Sequence, residues 1–134
     1  MDIADAYRDL EKLVLRRDEL LNKLRKEIED LEGVSNYDVM KLENILRRLR
    51  RSRRNLLKIL NNFRLSDFSS SFSDLVKTLA QFSLLVAVND EEELLKEVIN
   101  VVKGKGGKVI SELEQDIREV RELRNTLSNF LSSE

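Results

Sequence analysis

The sequence predicts an all-α protein: an antiparallel up-down-up-down bundle of four legs, built from four to five helices in one domain over residues 1–134. Three observations carry this expectation. Apolar residues recur at three- and four-residue spacing along nearly the whole chain, with no alternating strand pattern and no internal repeat. Charged residues make up 37% of the sequence against 41% hydrophobic, the balance of long amphipathic helices. The periodic stretches are of similar length and are joined by short breaks, as the legs of a bundle are. Two long coiled-coil hairpins are the main alternative.

The first leg follows from Ile3, Ala6, Leu10, Leu13, Val14, Leu20, Leu21, Leu24, Ile28 and Leu31, a stripe closed by Gly33 as a left-handed cap. The second is expected to start at Ser35 or Asn36, with Asp38 completing a capping-box-like start. It carries Val39, Leu42, Ile45, Leu46, Leu49, Leu56, Leu57, Leu60 and Phe63 before the serine-rich stretch 66–71 breaks it. The third begins near Phe72 and is apolar almost all round from Leu79 to Val88, the mark of a buried leg. Asn89, followed by Asp90, Glu91 and Glu92, reads as a fresh N-cap, so this leg is expected to break near Asn89-Asp90 and restart toward Val102. Gly104, Gly106 and Gly107 stop it, and the last leg carries Val109, Ile110, Leu113, Ile117, Val120, Leu123, Leu127, Phe130 and Leu131. At 1.5 Å per residue the first, second and last legs are each about 40 Å long.

Composition excludes several functions. The sequence has no His and no Cys. It therefore offers no thiol nucleophile, no imidazole base, no ordinary zinc site and no disulfide. No Glu-x-x-His pair exists for a di-iron bundle, and the carboxylates are spread over solvent faces, so neither catalysis nor a cofactor or metal is expected. The acidic, polar start MDIADAYRDL is unlike a secretory signal, and the longest apolar stretch, Leu79 to Val88, is about half a membrane span. The expectation is an intracellular, cytoplasmic protein without membrane contact, and the charge-rich composition suits a thermophile.

Polar residues interrupt the apolar stripes at three places. Arg17 lies between Val14 and Leu21, Arg124 between Val120 and Leu127, and Ser52 with Arg53 between Leu49 and Leu56. A hairpin turning near residues 33 and 34 sets Arg17 beside Ser52 and Arg53. If buried, these guanidiniums need carboxylates such as Asp18, Asp116 or Glu119, and would fix the register of the legs. The simpler expectation is that the arginine stems lie along the core edge with their heads in water.

A net charge of −1 hides an asymmetry: residues 36–64 carry 9 basic and 2 acidic groups, and every other segment is net negative. The run Arg47-Arg48-Leu49-Arg50-Arg51-Ser52-Arg53-Arg54, with Lys58 a turn on, has no acid between Glu43 and Asp67. At 100° per residue, Arg47, Arg51, Arg54 and Lys58 fall within about 60° of one another, with Arg48 and Arg50 flanking them, opposite the apolar stripe. The plain reading is a solvated face paired with Glu27, Asp30, Glu32 or the acidic last leg. The sharper reading is a surface that tracks phosphates, through Arg47, Arg48, Arg50, Arg51, Arg54 and Lys58. Nothing in the run suggests base readout. The loop Lys103-Gly104-Lys105-Gly106-Gly107-Lys108 lacks the spacing of a nucleotide P-loop. It reads as a helix stop, with Lys103, Lys105 and Lys108 as an auxiliary basic contact.

In size and charge pattern the chain resembles the small all-helical accessory proteins of archaeal viruses and the helical small subunits of CRISPR effector complexes, a likeness of outline that no motif carries. The expected function is a non-enzymatic accessory protein that binds nucleic-acid backbone within a larger assembly. The alternative is a protein-interaction module, an inhibitor or scaffold that docks an acidic protein surface or forms an oligomer.

Overall fold

The computed structural model describes residues 2–32, 40–103 and 107–132, apart from a few side chains near the helix ends and at residues 82 and 83. Helix α1 spans Ile3–Glu32, α2 Met40–Asn62, α3 Ser70–Thr78, α4 Leu85–Val102 and α5 Gly107–Leu131. A short 3-10 turn, Leu65–Asp67, lies between α2 and α3, and no strand occurs among the described residues. The anticipated start of the second leg at Ser35 or Asn36 and the Gly33 cap fall outside the described residues, as do Gly104 and Gly106. Gly107 opens α5 instead of closing the leg before it.

Direction alternates along the chain, yet side by side the legs do not simply alternate. The closest packing is between α1 and α2, α4 and α5, α1 and α4, and α2 and α5. This leaves the second and third legs, and the first and fourth, across the diagonals. Residues 63–69 therefore cross one end of the bundle. Leu65 and Phe68 are buried there, Phe63 packs on Phe68 with ring centroids 6.2 Å apart, and the Asp67 carboxylate accepts the backbone N–H of Arg64 at 2.7 Å. Side-chain pairs give the directions. Tyr7 meets Phe72 and Arg17 meets Glu91, so the first and third legs run parallel. Arg50 and Arg53 meet Asp116 and Glu119, so the second and fourth do too. The molecule is thus two antiparallel hairpins, α1–α2 and α3–α5, sharing one leucine-rich core that includes Leu10, Leu24, Leu49, Leu56, Leu84, Leu95, Leu113 and Leu123.

The third leg differs from expectation. Asn89 and Asp90 lie inside α4 with both side chains exposed, so there is no break and no cap at that point. Asn89 accepts a hydrogen bond from Arg124 at 2.8 Å, and Asp90 pairs with Arg25 at 3.2 Å. The irregularity lies earlier, as a π-helical turn over Leu79–Leu84. Its cause is legible in the packing. Val76, Ala80, Leu84 and Val88 are all buried at four-residue spacing. In a 3.6-residue helix that spacing drifts by about 40° per step, about 120° over three steps. One wide turn absorbs the drift and keeps the stripe on the core.

Midway along the bundle each leg contributes a buried charge: Arg17, Arg53, Glu91 and Asp116, all at most 2% exposed. Arg17 donates to both oxygens of Glu91 at 2.6 and 3.1 Å and to the Ser52 hydroxyl at 2.8 Å, and that hydroxyl donates to the Leu49 carbonyl. Arg53 donates to Glu91 at 3.2 Å, to Asp116 at 2.5 Å and to Glu119 at 3.1 Å. The expectation of guanidinium heads in water is therefore overturned for Arg17 and Arg53. Arg124 keeps its head near the surface, with its side chain 31% exposed. Asp116 and Glu119 are among the anticipated partners; Asp18 points to solvent and Glu91 takes its place. The Nε of Arg17 and of Arg53 is buried without a partner among the described residues. That adds about 1–3 kcal/mol of desolvation cost each.

Such a layer opposes single replacements far more than concerted ones. Arg17→Met should destabilise the protein by about 3–5 kcal/mol in urea unfolding, because Glu91 then keeps only its longer contact with Arg53 inside the core. Replacing Arg17, Arg53, Glu91 and Asp116 together by apolar residues of similar volume should cost much less than the sum of the single changes.

Candidate nucleic-acid interface

The basic run of α2 divides by helix geometry into three directions. Arg53 points into the core. Arg50 leans toward α5, where Asp116 accepts its Nε and Nη2 at 2.7 Å each and Glu112 stands 3.8 Å away. This hydrogen-bonded contact with Asp116 raises the Arg50 pKa above its ordinary value, against the opposing effect of partial burial. Arg50 is therefore removed from the ridge. It was expected among the solvent-facing cations, but it stands on the side of α2 that meets the acidic helix. The remaining members, Arg47, Arg48, Arg51, Arg54 and Lys58, are exposed. None of these five makes an ion pair or side-chain hydrogen bond among the described residues.

Helix α1 supplies a second row that the sequence reading missed. A groove runs between α1 and α2. One widening of about 300 Å³ is lined by Arg16, Glu19, Leu20, Lys23, Arg48, Arg51, Ser52 and Asn55. The next, about 560 Å³, is lined by Asp9, Lys12, Leu13, Arg16, Asn55, Lys58 and Ile59. Because the helices are antiparallel, Lys23 lies toward Arg48, Arg16 toward Arg51, and Lys12 toward Lys58. Asp9 and Glu19 are the acids on this lining, against six cations. Lys12, Arg16 and Lys23 share one face of α1 by helical spacing. They were hidden because the acids of α1 make its segment net negative, and two of those acids, Asp9 and Glu19, stand on the same lining.

Two of the other expected partners stand apart from these cations. Asp30 and Glu32 are exposed and pair with none of the groove's cations among the described residues. Helix α5 spends Asp116, Glu119 and Glu112 on Arg50 and Arg53. Three cations of the second hairpin are themselves engaged: Arg121, Arg124 and Lys96 converge on Glu92 at 3.3, 2.8 and 3.1 Å. Desolvation pushes the Glu92 carboxyl up, but hydrogen bonds from Arg124 and Lys96 and the charge of Arg124 outweigh it and hold its pKa at about 2. In the glycine loop, Lys103 is exposed at the end of α4, and Lys105 and the side chain of Lys108 lie outside the described residues.

Among the described residues no group of three or more His, Cys, Asp or Glu side chains could hold a metal ion, and no helix is long and apolar enough to cross a membrane. What the fold presents is a four-leg bundle with a groove between two antiparallel helices, lined by six cations and two acids. No protein-family model, curated protein or solved structure matches the chain.

Two measurements follow from this electrostatic arrangement. The Glu92 pKa lies below the 4.5 of an unperturbed carboxyl, so its stabilising contribution is complete above about pH 4.5 and is lost as pH falls toward about 2. Stability measured by urea unfolding should drop between about pH 5 and about pH 2, and Glu92→Gln should make that drop shallower. The like charges across the groove repel one another in the free protein. Arg16→Gln with Arg51→Gln should therefore raise the thermal midpoint at low ionic strength, and the gain should shrink above about 0.1 M salt.

Proposed function

We propose that this chain is a non-enzymatic helical accessory protein that binds nucleic-acid backbone through the basic face of its second helix and the facing wall of α1. One observation carries the reading: Arg47, Arg48, Arg51, Arg54 and Lys58 stand exposed without partners among the described residues, while Arg50 and Arg53, on the other sides of the same helix, are paired. Cations that a fold leaves unneutralised gain by displacing the counterions condensed on a phosphate backbone. Arginine suits that task, since its planar fork meets phosphate oxygens in pairs. From Arg47 to Lys58 the row spans about 17 Å, long enough for several consecutive phosphates. Contacts of this kind position a protein without reading sequence.

A second reading has its own support. Leu15, Phe72, Leu75 and Val86 are large apolar side chains that are 40–69% exposed on α1 and the third leg. They suit contact with another protein, which fits an accessory subunit of a larger assembly. They fit equally an inhibitor or scaffold that docks an acidic protein surface or associates with itself. An intracellular setting and a thermophilic source, which the charge-rich composition and the buried ion-pair layer suit, belong to the same proposal.

Arg51→Glu with Arg54→Glu separates the two readings. Neither residue touches the core, so helicity by circular dichroism should be unchanged. Fluorescence anisotropy at low salt should show binding to arbitrary nucleic-acid probes weakened by at least about tenfold, with the salt slope shallower by about two. Absence of binding by the unaltered protein at low salt would leave the protein-docking reading as the better one.

A further inference from the structure

We infer that the groove between α1 and α2 takes a double-stranded rather than a single-stranded nucleic acid, seating one strand's phosphates between the two helices. This inference rests on the proposed function and specifies its ligand.

The first argument is the position of the aromatic rings. Proteins that hold single strands stack the unpaired bases on aromatic side chains, and that stacking supplies much of the affinity. Among the described residues no ring lies on the groove wall from Lys23 and Arg48 to Lys12 and Lys58. Tyr7 is packed on Phe72, with ring centroids 5.3 Å apart, on the side of α1 that faces the third leg. Phe68 and Phe130 are buried, and Phe63, in the hollow that continues the groove past Lys58 and Ile59, is half-buried with its ring packed on Phe68. A single strand laid here would have its bases in water. A duplex keeps its bases stacked on each other and needs only its backbone met.

The second argument is charge density. A surface that works by counterion release gains more per contact from a duplex, which carries a charge every 1.7 Å or so along its axis and releases about 0.9 ion per phosphate. A single strand releases about 0.7. The third argument is shape. Helices packed at about 8–10 Å leave a furrow too narrow for a whole duplex, but one backbone fits along it. Cations then stand on both sides of that backbone, Lys12, Arg16 and Lys23 on one wall and Arg48, Arg51 and Lys58 on the other. Asn55 is the one amide on this lining, and its arginines, seated on phosphates, are not free to read base edges.

The test compares three fluorescent probes by anisotropy at low salt: a mixed-sequence duplex of about 20 base pairs, one of its strands alone, and an oligothymidine of the same length. The duplex should bind at least about tenfold more tightly than either single strand. A second duplex of unrelated sequence should bind within about threefold of the first, and the salt slope should lie near −4 to −5, the release expected from about five phosphates. Arg16→Glu with Lys23→Glu, on α1 alone, should weaken duplex binding as much as Arg51→Glu with Arg54→Glu does, with circular dichroism unchanged. A single strand that binds as tightly as the duplex overturns the inference and leaves backbone binding standing. An α1 variant that binds the duplex like the unaltered protein overturns the groove as the seat of the backbone. No binding to any of the three probes removes both this inference and the function on which it rests.

Discussion

Arg17, Arg53, Glu91 and Asp116 meet at one level of the bundle, one from each leg, and the rest of the architecture is arranged around keeping them together. Removing guanidinium and carboxylate groups from water is expensive, and the attraction between them repays it only in good geometry. A slip of any leg by one turn, about 5.4 Å, would separate donors from acceptors that now sit 2.5–3.2 Å apart. Leucines tolerate such slips, because an apolar stripe looks much the same one heptad on. The ionic layer does not. It sets the register of the four legs and the parallel alignment of the two hairpins, whereas the surrounding leucines supply the driving force for collapse.

The same layer explains why one face of the molecule is left charged. In the inter-hairpin ion pairs among the described residues, the first hairpin supplies the cation and the second the carboxylate, from Arg25 with Asp90 to Arg53 with Glu119. Of the second hairpin's carboxylates, Asp90, Glu91, Glu112, Asp116 and Glu119 are spent at that interface, and Glu92 on cations of its own hairpin. Cations on the side of α1 and α2 that faces away from the second hairpin have no such counterpart among the described residues. The α1–α2 groove is thus a direct result of segregating charge by hairpin.

Much of this was legible in the amino-acid pattern. The 3.6-residue stripes place the helices, the hairpin arithmetic brings Arg17 to Ser52 and Arg53, and the gap in acids after Glu43 marks the ridge. Other features depend on comparing legs, which periodicity within one leg does not provide. Glu91 occupies a core position between Val88 and Leu95. As part of Asn89-Asp90-Glu91-Glu92, however, it resembles the acidic first turn of a new helix, and that local signal misplaced the irregularity of the third leg. The π-helical turn answers a four-residue spacing of buried side chains whose burial is decided by neighbouring legs. Arg50 and Arg48 are equivalent flanks of the ridge on a helical wheel. Only the identity of the adjacent helix, acidic α5 or basic-walled α1, separates a paired arginine from a free one.

The division of charge between hairpins has a bearing on how chains meet one another during synthesis, when unfinished copies are close together. A first hairpin that met another first hairpin would find leucines to match its own, so apolar contact alone would not reject the encounter. It would also bring Arg17 and Arg53 of each together, four guanidiniums in one dry layer with no carboxylate to receive them. Two second hairpins would bury Glu91 and Asp116 in the same unpaired way. Each wrong encounter carries several kcal/mol of uncompensated desolvation that the right one avoids. The interior thus favours the union of unlike halves and tells them from like ones before any external partner is involved.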